Sequence, residues 1–186
     1  VDLWLLPAIN PDGVALNQRH NVNQVDLNRN FPYKWGLIAE PGNWEYSGPS
    51  AASEPETQAV VNYANRIFPE SQRRSDPEGQ MNDPLGDDIM GMYIDIHSTG
   101  EFIYYPWGHR NDRSPDDDAF QAIARKMSYY NGYNLWASGY DFLYPVSGDS
   151  SDYMYAVMGV SSMGLELGFN FYEDCDTFET SILPSN

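Results

Sequence analysis

Three short stretches carry side chains whose types and spacing suit chemistry. In "VDLNRNF", residues 25–31, Asn28, Arg29 and Asn30 stand together between apolar Val25, Leu27 and Phe31. A guanidinium is a planar fork of donors that matches a carboxylate in a bidentate pair, and a neighbouring amide adds another donor. An internal salt bridge to one of the many acids is the equal alternative for Arg29. In "DIHSTG", residues 95–100, His97 closes an apolar run just before a turn. A histidine there is either a hydrogen-bonded structural residue or a metal ligand. In "GLELG", residues 164–168, Glu166 lies between two leucines, where a carboxylate is costly unless it is paired or functional. In a cleft such a carboxyl rises toward neutral pKa, which suits a general base.

The elements that must hold these groups alternate along the chain. Short apolar runs rich in aromatic or branched residues predict strands at 2–6, 91–96, 102–105 and 162–167. Ser53 followed by Glu56 forms a capping box before a helix whose Val60, Ala64 and Ile67 share a face. Asp116 to Asp118 open a second helix that Asn131-Gly132 ends, and a third begins at Ser150 or Ser151. This alternation predicts an α/β sheet with helices on both faces, with ligands beyond the carboxyl ends of the strands. His97 and Glu166 fall at such ends. Residues 69–88 are polar, rich in Pro, Gly and Asp, and without period, so they read as a surface insertion. No internal repeat or linker divides the chain.

Composition narrows the function classes. At 186 residues and 41% hydrophobic, the chain has enough apolar material for one sizeable core. Its 27 acidic against 10 basic side chains give a formal charge of −17, which argues against nucleic acid and against anionic membranes as partners. Runs such as "LWLL" and "FIYY" are too short to cross a bilayer. Cys175 is the single cysteine and leaves the redox compartment undecided.

Taken in order, "NPDG" (10–13), Arg19, "VDLNRNF", "GPSAASEPET" (48–57), "DIHSTG", "YYPWG" (104–108), "YPVSGDSSD" (144–152) and "GLELG" resemble the zinc metallocarboxypeptidases of the carboxypeptidase A type. The resemblance runs along almost the whole chain. It implies an α/β fold with a mixed, mostly parallel twisted sheet flanked by helices, and Zn2+ as cofactor. It casts His97 as a zinc ligand, Glu166 as the general base that activates water, and Arg19 as the group that stabilises the oxyanion. Asn28 and Arg29 match the pair that grips a peptide's terminal carboxylate, Tyr144 the mobile tyrosine that closes over it, and Asp26 a carboxylate that orients a zinc histidine. Asp149 and Ser151 fall in the selectivity loop, leaving a polar pocket that admits Lys or Arg, with broad specificity as the alternative. Asp149 also suits a plain helix cap.

The family's first two zinc ligands form a His-x-x-Glu motif upstream of "NPDG", and no histidine here is followed by Glu at that spacing. Residues 1–186 are therefore expected to be the C-terminal part of one catalytic domain, truncated chiefly at the N-terminus and inactive alone. His20 and His109 lie in polar loop sequence and are not expected to replace a lost ligand. The resemblance implies a monomeric, secreted hydrolase that removes C-terminal residues from peptides or proteins. A catalytically dead carboxylate-binding relative, or an amidase of cell-wall or polyglutamyl peptides, shares the same scaffold.

Overall fold

The computed structural model describes residues 2–36, 44–137 and 145–186. Its centre is a mixed sheet. Met92–His97 (β1), Phe102–Tyr105 (β2), Asn134–Ala137 (β3) and Ser161–Glu166 (β4) lie in the order β1-β4-β2-β3. β4 runs parallel to β1 and antiparallel to β2, and β2 and β3 are parallel. Residues 98–101 thus carry the chain from β1 past β4 to β2, a span of about 10 Å or two strand spacings. The register sets His97 opposite Glu166 on one side of β4 and Phe102 opposite Glu166 on the other. The amide of Leu167 donates to the His97 carbonyl at 2.8 Å, continuing the ladder to the residue where the sequence placed its end.

Four α-helices of six residues or more accompany the sheet among the described residues, Pro11–Leu16 (α1), Pro55–Ile67 (α2), Asp117–Asn131 (α3) and Ser150–Ala156 (α4), and a further helical run covers residues 175–185. α3 packs on β2 and β3 through Phe120 and Ala124, one turn apart, and the Phe120 ring stacks on Tyr105 with centroids 5.5 Å apart. It stops where Gly132 adopts φ 75° and returns its amide to the Ser128 carbonyl at 2.7 Å. α4 packs on β4 and β1. Its Tyr155 meets both Phe120 and Trp107 edge-on, so an aromatic cluster of Tyr105, Trp107, Phe120 and Tyr155 forms the deepest part of the core. Residues 69–88 contain one short 3-10 turn, Glu70–Gln72, and otherwise turns, as a surface insertion should.

Three expectations are corrected. Residues 2–6 are not a strand: no described segment pairs with their backbone, Leu3 and Leu5 are 79% and 75% exposed, and Trp4 leans edge-on against Tyr63 of α2 instead. The capping box at α2 does not form. Glu54 is the N-cap with Pro55 at the first helical position, and the Ser53 hydroxyl donates to Glu54 Oε1 at 2.7 Å. On β1, helix α4 covers the face of Tyr93 and Asp95, while Met92, Ile94 and Ile96 on the opposite face are exposed, so the described helices do not cover both faces of this strand.

Candidate active site

Because β1 and β4 run parallel, His97 and Glu166 arrive at the same edge of the sheet, one from each carboxyl end. Two further pieces close on that edge. One is the 3-10 turn Leu27–Arg29, and the other is the N-terminus of α4 with the residues before it. The turn forms because Asp26 caps it, accepting from the Asn28 amide at 3.1 Å. The Asp26 backbone amide is fixed in turn on the Tyr46 carbonyl at 2.9 Å. The two pieces are tied together by the Phe31 amide on the Gly148 carbonyl and the Ser150 amide on Asn28 Oδ1, both at 2.9 Å. Gly148 cannot be another residue: its φ is +66°, and an added Cβ would stand 2.3 Å from the Arg29 carbonyl oxygen.

The two amides of "NRN" part company. Asn30 is fully buried and structural, with Nδ2 on the Ser47 carbonyl at 2.8 Å and Oδ1 accepting from the Glu54 amide at 3.2 Å. Asn28 faces the cleft. Since its Oδ1 takes the Ser150 amide, its Nδ2 lies toward His97 Nε2, at 3.3 Å. His97 Nε2 makes its shorter contact, 2.9 Å, with Asp95 Oδ2. That pairing puts the proton on Nε2, leaves Nδ1 as the free lone pair of His97, and keeps the Asn28 Nδ2 donors available to a ligand. Asp95 also accepts from the Ser150 hydroxyl, so α4 helps fix the imidazole.

Charge at this edge is closely balanced. Burial pulls the His97 imidazole down, but the charge and hydrogen bond of Asp95, with Glu166, outweigh it and leave His97 above its ordinary value. Burial would raise Asp95, yet His97, Ser150 and Arg19 hold it below the usual carboxylate range. Burial lifts Glu166 to about 7 against the opposing pull of His97 and Arg19. Its Oε2 is buried with no hydrogen-bond partner among the described residues. Arg19 donates from Nε to Asp26 Oδ2 at 2.8 Å, and its charge reaches Glu166 and Tyr104. Burial acts to lower Arg19, but Asp26 keeps it above its ordinary value. A cavity of about 330 Å³ opens beside His97, lined also by Leu167, Phe171 and Ile182.

Of the residues singled out in the sequence, His97, Glu166, Arg19, Asn28 and Arg29 are brought to this one edge. Asp26 holds Arg19 through Oδ2 and the Asn28 amide through Oδ1. Asp149 is the N-cap of α4, with Oδ1 accepting from the Asp152 amide at 2.9 Å. Its Oδ2, like Ser147 Oγ and Ser151 Oγ, is buried without a partner among the described residues. Burial and the nearby Asp152 push the Asp149 carboxyl well above the usual range. Tyr144 lies outside the described residues. Asp95 went unassigned, although it sits two positions before His97 on the same face of β1, a signal the strand period offers.

The described donor set does not complete a zinc site. Among the described residues no three His, Cys, Asp or Glu side chains converge as a metal site. His20 is engaged by the Trp44 carbonyl at 2.6 Å and His109 by Asp152 at 2.6 Å, which leaves His97 as the one imidazole at the strand-end edge.

Comparison with known proteins gives a consistent picture. The family described as "Zinc carboxypeptidase" matches residues 1–180. Zinc carboxypeptidase A 1 of Anopheles gambiae is 25% identical over 208 residues, covering 100% of this chain and 42% of that protein. A metallocarboxypeptidase A-like protein of Trichophyton verrucosum is 30% identical over 144 residues, covering 68% of this chain and 30% of its own length. The crystal structure of carboxypeptidase A from Helicoverpa armigera superposes with a TM-score of 0.70 at 24% identity, covering 97% of this chain and 47% of that one, a likeness of fold. The chain thus spans less than half the length of these relatives.

Proposed function

From a chain that belongs to the zinc carboxypeptidase family, we propose a whole protein that hydrolyses the last peptide bond of peptides bearing a free C-terminus. The observation that carries this reading is the assembly, at one end of β1 and β4, of a buried arginine and a half-buried amide beside a carboxyl group lifted to about 7. Arg29 and Asn28 would hold the terminal carboxylate. Arg19 would face the oxygen on which negative charge develops, where one well-placed donor is worth about 3 kcal/mol. Glu166 would take a proton from the attacking water and hand it to the departing amine. Zinc is the family's cofactor, and among its ligands the described residues offer His97 alone.

The unpartnered polar atoms of Ser147, Asp149 and Ser151 support a polar selectivity pocket. With Asp149 engaged as the cap of α4, they favour broad acceptance of polar side chains over a dedicated site for Lys or Arg. Secretion and a monomeric state belong to the same proposal. No helix among the described residues is long and apolar enough to cross a membrane.

The test is Arg29→Ala in the zinc-loaded whole protein. Hydrolysis of free-carboxylate peptides should weaken by about 2 to 5 kcal/mol in kcat/KM, the usual effect of removing one partner from a desolvated charge pair. Amidating the peptide should harm the unmutated enzyme and barely affect the variant. Equal cleavage of free and amidated peptides by the unmutated enzyme would rule the reading out.

A further inference from the structure

Resting on the carboxypeptidase reading, we propose that Glu45 is a positioning residue of the carboxylate clamp, holding Arg29 by one edge so that its remaining donors face the substrate. A guanidinium has five N–H groups in a fixed plane. Glu45 Oε1 accepts from Arg29 Nε at 3.1 Å and from Nη2 at 2.7 Å, and Nη1 donates to the Asn28 carbonyl at 2.9 Å. Among the described residues this leaves one N–H on Nη1 and one on Nη2, the pair that a bidentate carboxylate requires.

Two physical needs are met by this arrangement. Arg29 is only 7% exposed, and a desolvated cation without a counter-charge is strongly destabilising. Glu45 supplies that charge while no substrate is bound. Arginine also has a long, rotamer-rich side chain, and fixing it beforehand removes an ordering cost from substrate binding. The backbone holds Glu45 to the task. Its neighbour Tyr46 accepts the Asp26 amide at 2.9 Å, and Ser47 accepts Asn30 Nδ2 at 2.8 Å, so residues 45–47 run alongside the clamp turn.

The opposite idea is that Glu45 imitates the substrate carboxylate and competes with it. A substrate mimic would engage both of its oxygens with the outward donors. Here a single oxygen takes the Nε and Nη2 edge.

The two ideas predict opposite signs. In the zinc-loaded whole protein, Glu45→Ala should raise KM for a free-carboxylate peptide by about tenfold, the weight of one charge-assisted hydrogen bond, with kcat within about threefold of the unmutated value. Glu45→Gln keeps an acceptor oxygen and should raise KM less. It also keeps the test open if the alanine variant folds poorly. Neither change should alter cleavage of the amidated peptide. A KM for the free peptide that is unchanged or lower in both variants overturns the proposal, as does a loss confined to kcat. If the unmutated enzyme fails to distinguish free from amidated peptide, the carboxypeptidase reading itself falls and the clamp with it. Normal discrimination with an indifferent Glu45 removes Glu45 alone.

Discussion

His109 pairs Nδ1 with Asp152 Oδ2 at 2.6 Å, and His97 pairs Nε2 with Asp95 Oδ2 at 2.9 Å, yet the two pairs sit in opposite surroundings. Asp152 also accepts the amides of Gly108 at 2.9 Å and His109 at 3.0 Å, and Trp107 and Tyr33 close edge-on about the His109 ring. Its bonds tie the start of α4 to the loop after β2, a structural duty. Asp95 and His97 instead stand at a strand end with Glu166 and Arg19 inside their field, an unpartnered Glu166 oxygen nearby and a cavity lined in part by His97. The same chemical pair is a brace where the carboxylate takes three hydrogen bonds inside an aromatic wall and a candidate site where competing charges meet at an unpartnered carboxyl oxygen.

The largest effect should come from breaking the brace. Asp152→Ala removes one partner of a buried pair and three hydrogen bonds, and should lower unfolding free energy by about 3 to 5 kcal/mol. Denaturant melts would show it. A loss under about 1 kcal/mol would mean that the two pairs do not differ as described.

Next in size is Glu166→Gln, which should leave fold and zinc content intact in the whole protein and cut kcat/KM by about 10²-fold or more. The pH dependence sharpens this. Burial lifts the Glu166 carboxyl to about 7, so its ionised, base-competent form grows as pH rises through 7, and kcat/KM should rise over that interval. The glutamine variant should lack the limb. Stability runs the other way. A carboxyl whose folded pKa lies above its unfolded value favours folding at low pH, and that contribution is lost as pH rises through about 7. Metal-free Glu166→Gln should therefore match the unmutated protein near pH 4.5 and exceed it at pH 8, on the order of 2 kcal/mol after solvent screening. A variant that is less stable at pH 8 and fully active would make Glu166 a structural partner.

The smallest effect is expected from Asp95→Asn, which keeps shape and an acceptor but removes the charge behind His97. Zinc affinity of the whole protein, measured by chelator competition, should fall by about tenfold, as is typical when the group behind a ligating histidine is changed. The thermal midpoint should move little. A large drop in midpoint with unchanged zinc affinity would place Asp95 with Asp152 as a brace.

Much of the site was legible because the groups that could do chemistry interrupt strong local patterns. His97 and Glu166 stand where apolar runs end, and the Asn131-Gly132 stop of α3 is local chain geometry that needs no distant partner. The start of α1 is just as local, with Asn10 accepting the Gly13 amide at 2.8 Å and Pro11 at the first helical position, yet the helix went unread because six residues are too few to show a period. Residues 2–6 read as a strand and are not one, while 134–137 were not read as one and are, for a single reason: a strand exists only if another backbone completes its ladder. Phe102 to Tyr105 provide that partner for Asn134–Ala137, while no described segment provides it for residues 2–6.

Sequence alone determined which side chains were available and which strand ends would carry them, because side-chain periodicity and turn chemistry are short-range. Tertiary structure decided their partners. The insertion of β4 between β1 and β2 brought Glu166 opposite His97, the bond from the Ser150 amide to Asn28 spans 122 positions, and the choice of Glu45 for Arg29 among 27 acids rests on a loop 16 residues away. Partners of this kind are chosen by which desolvated charge lies within about 3 Å in the folded chain, and no local pattern encodes that distance.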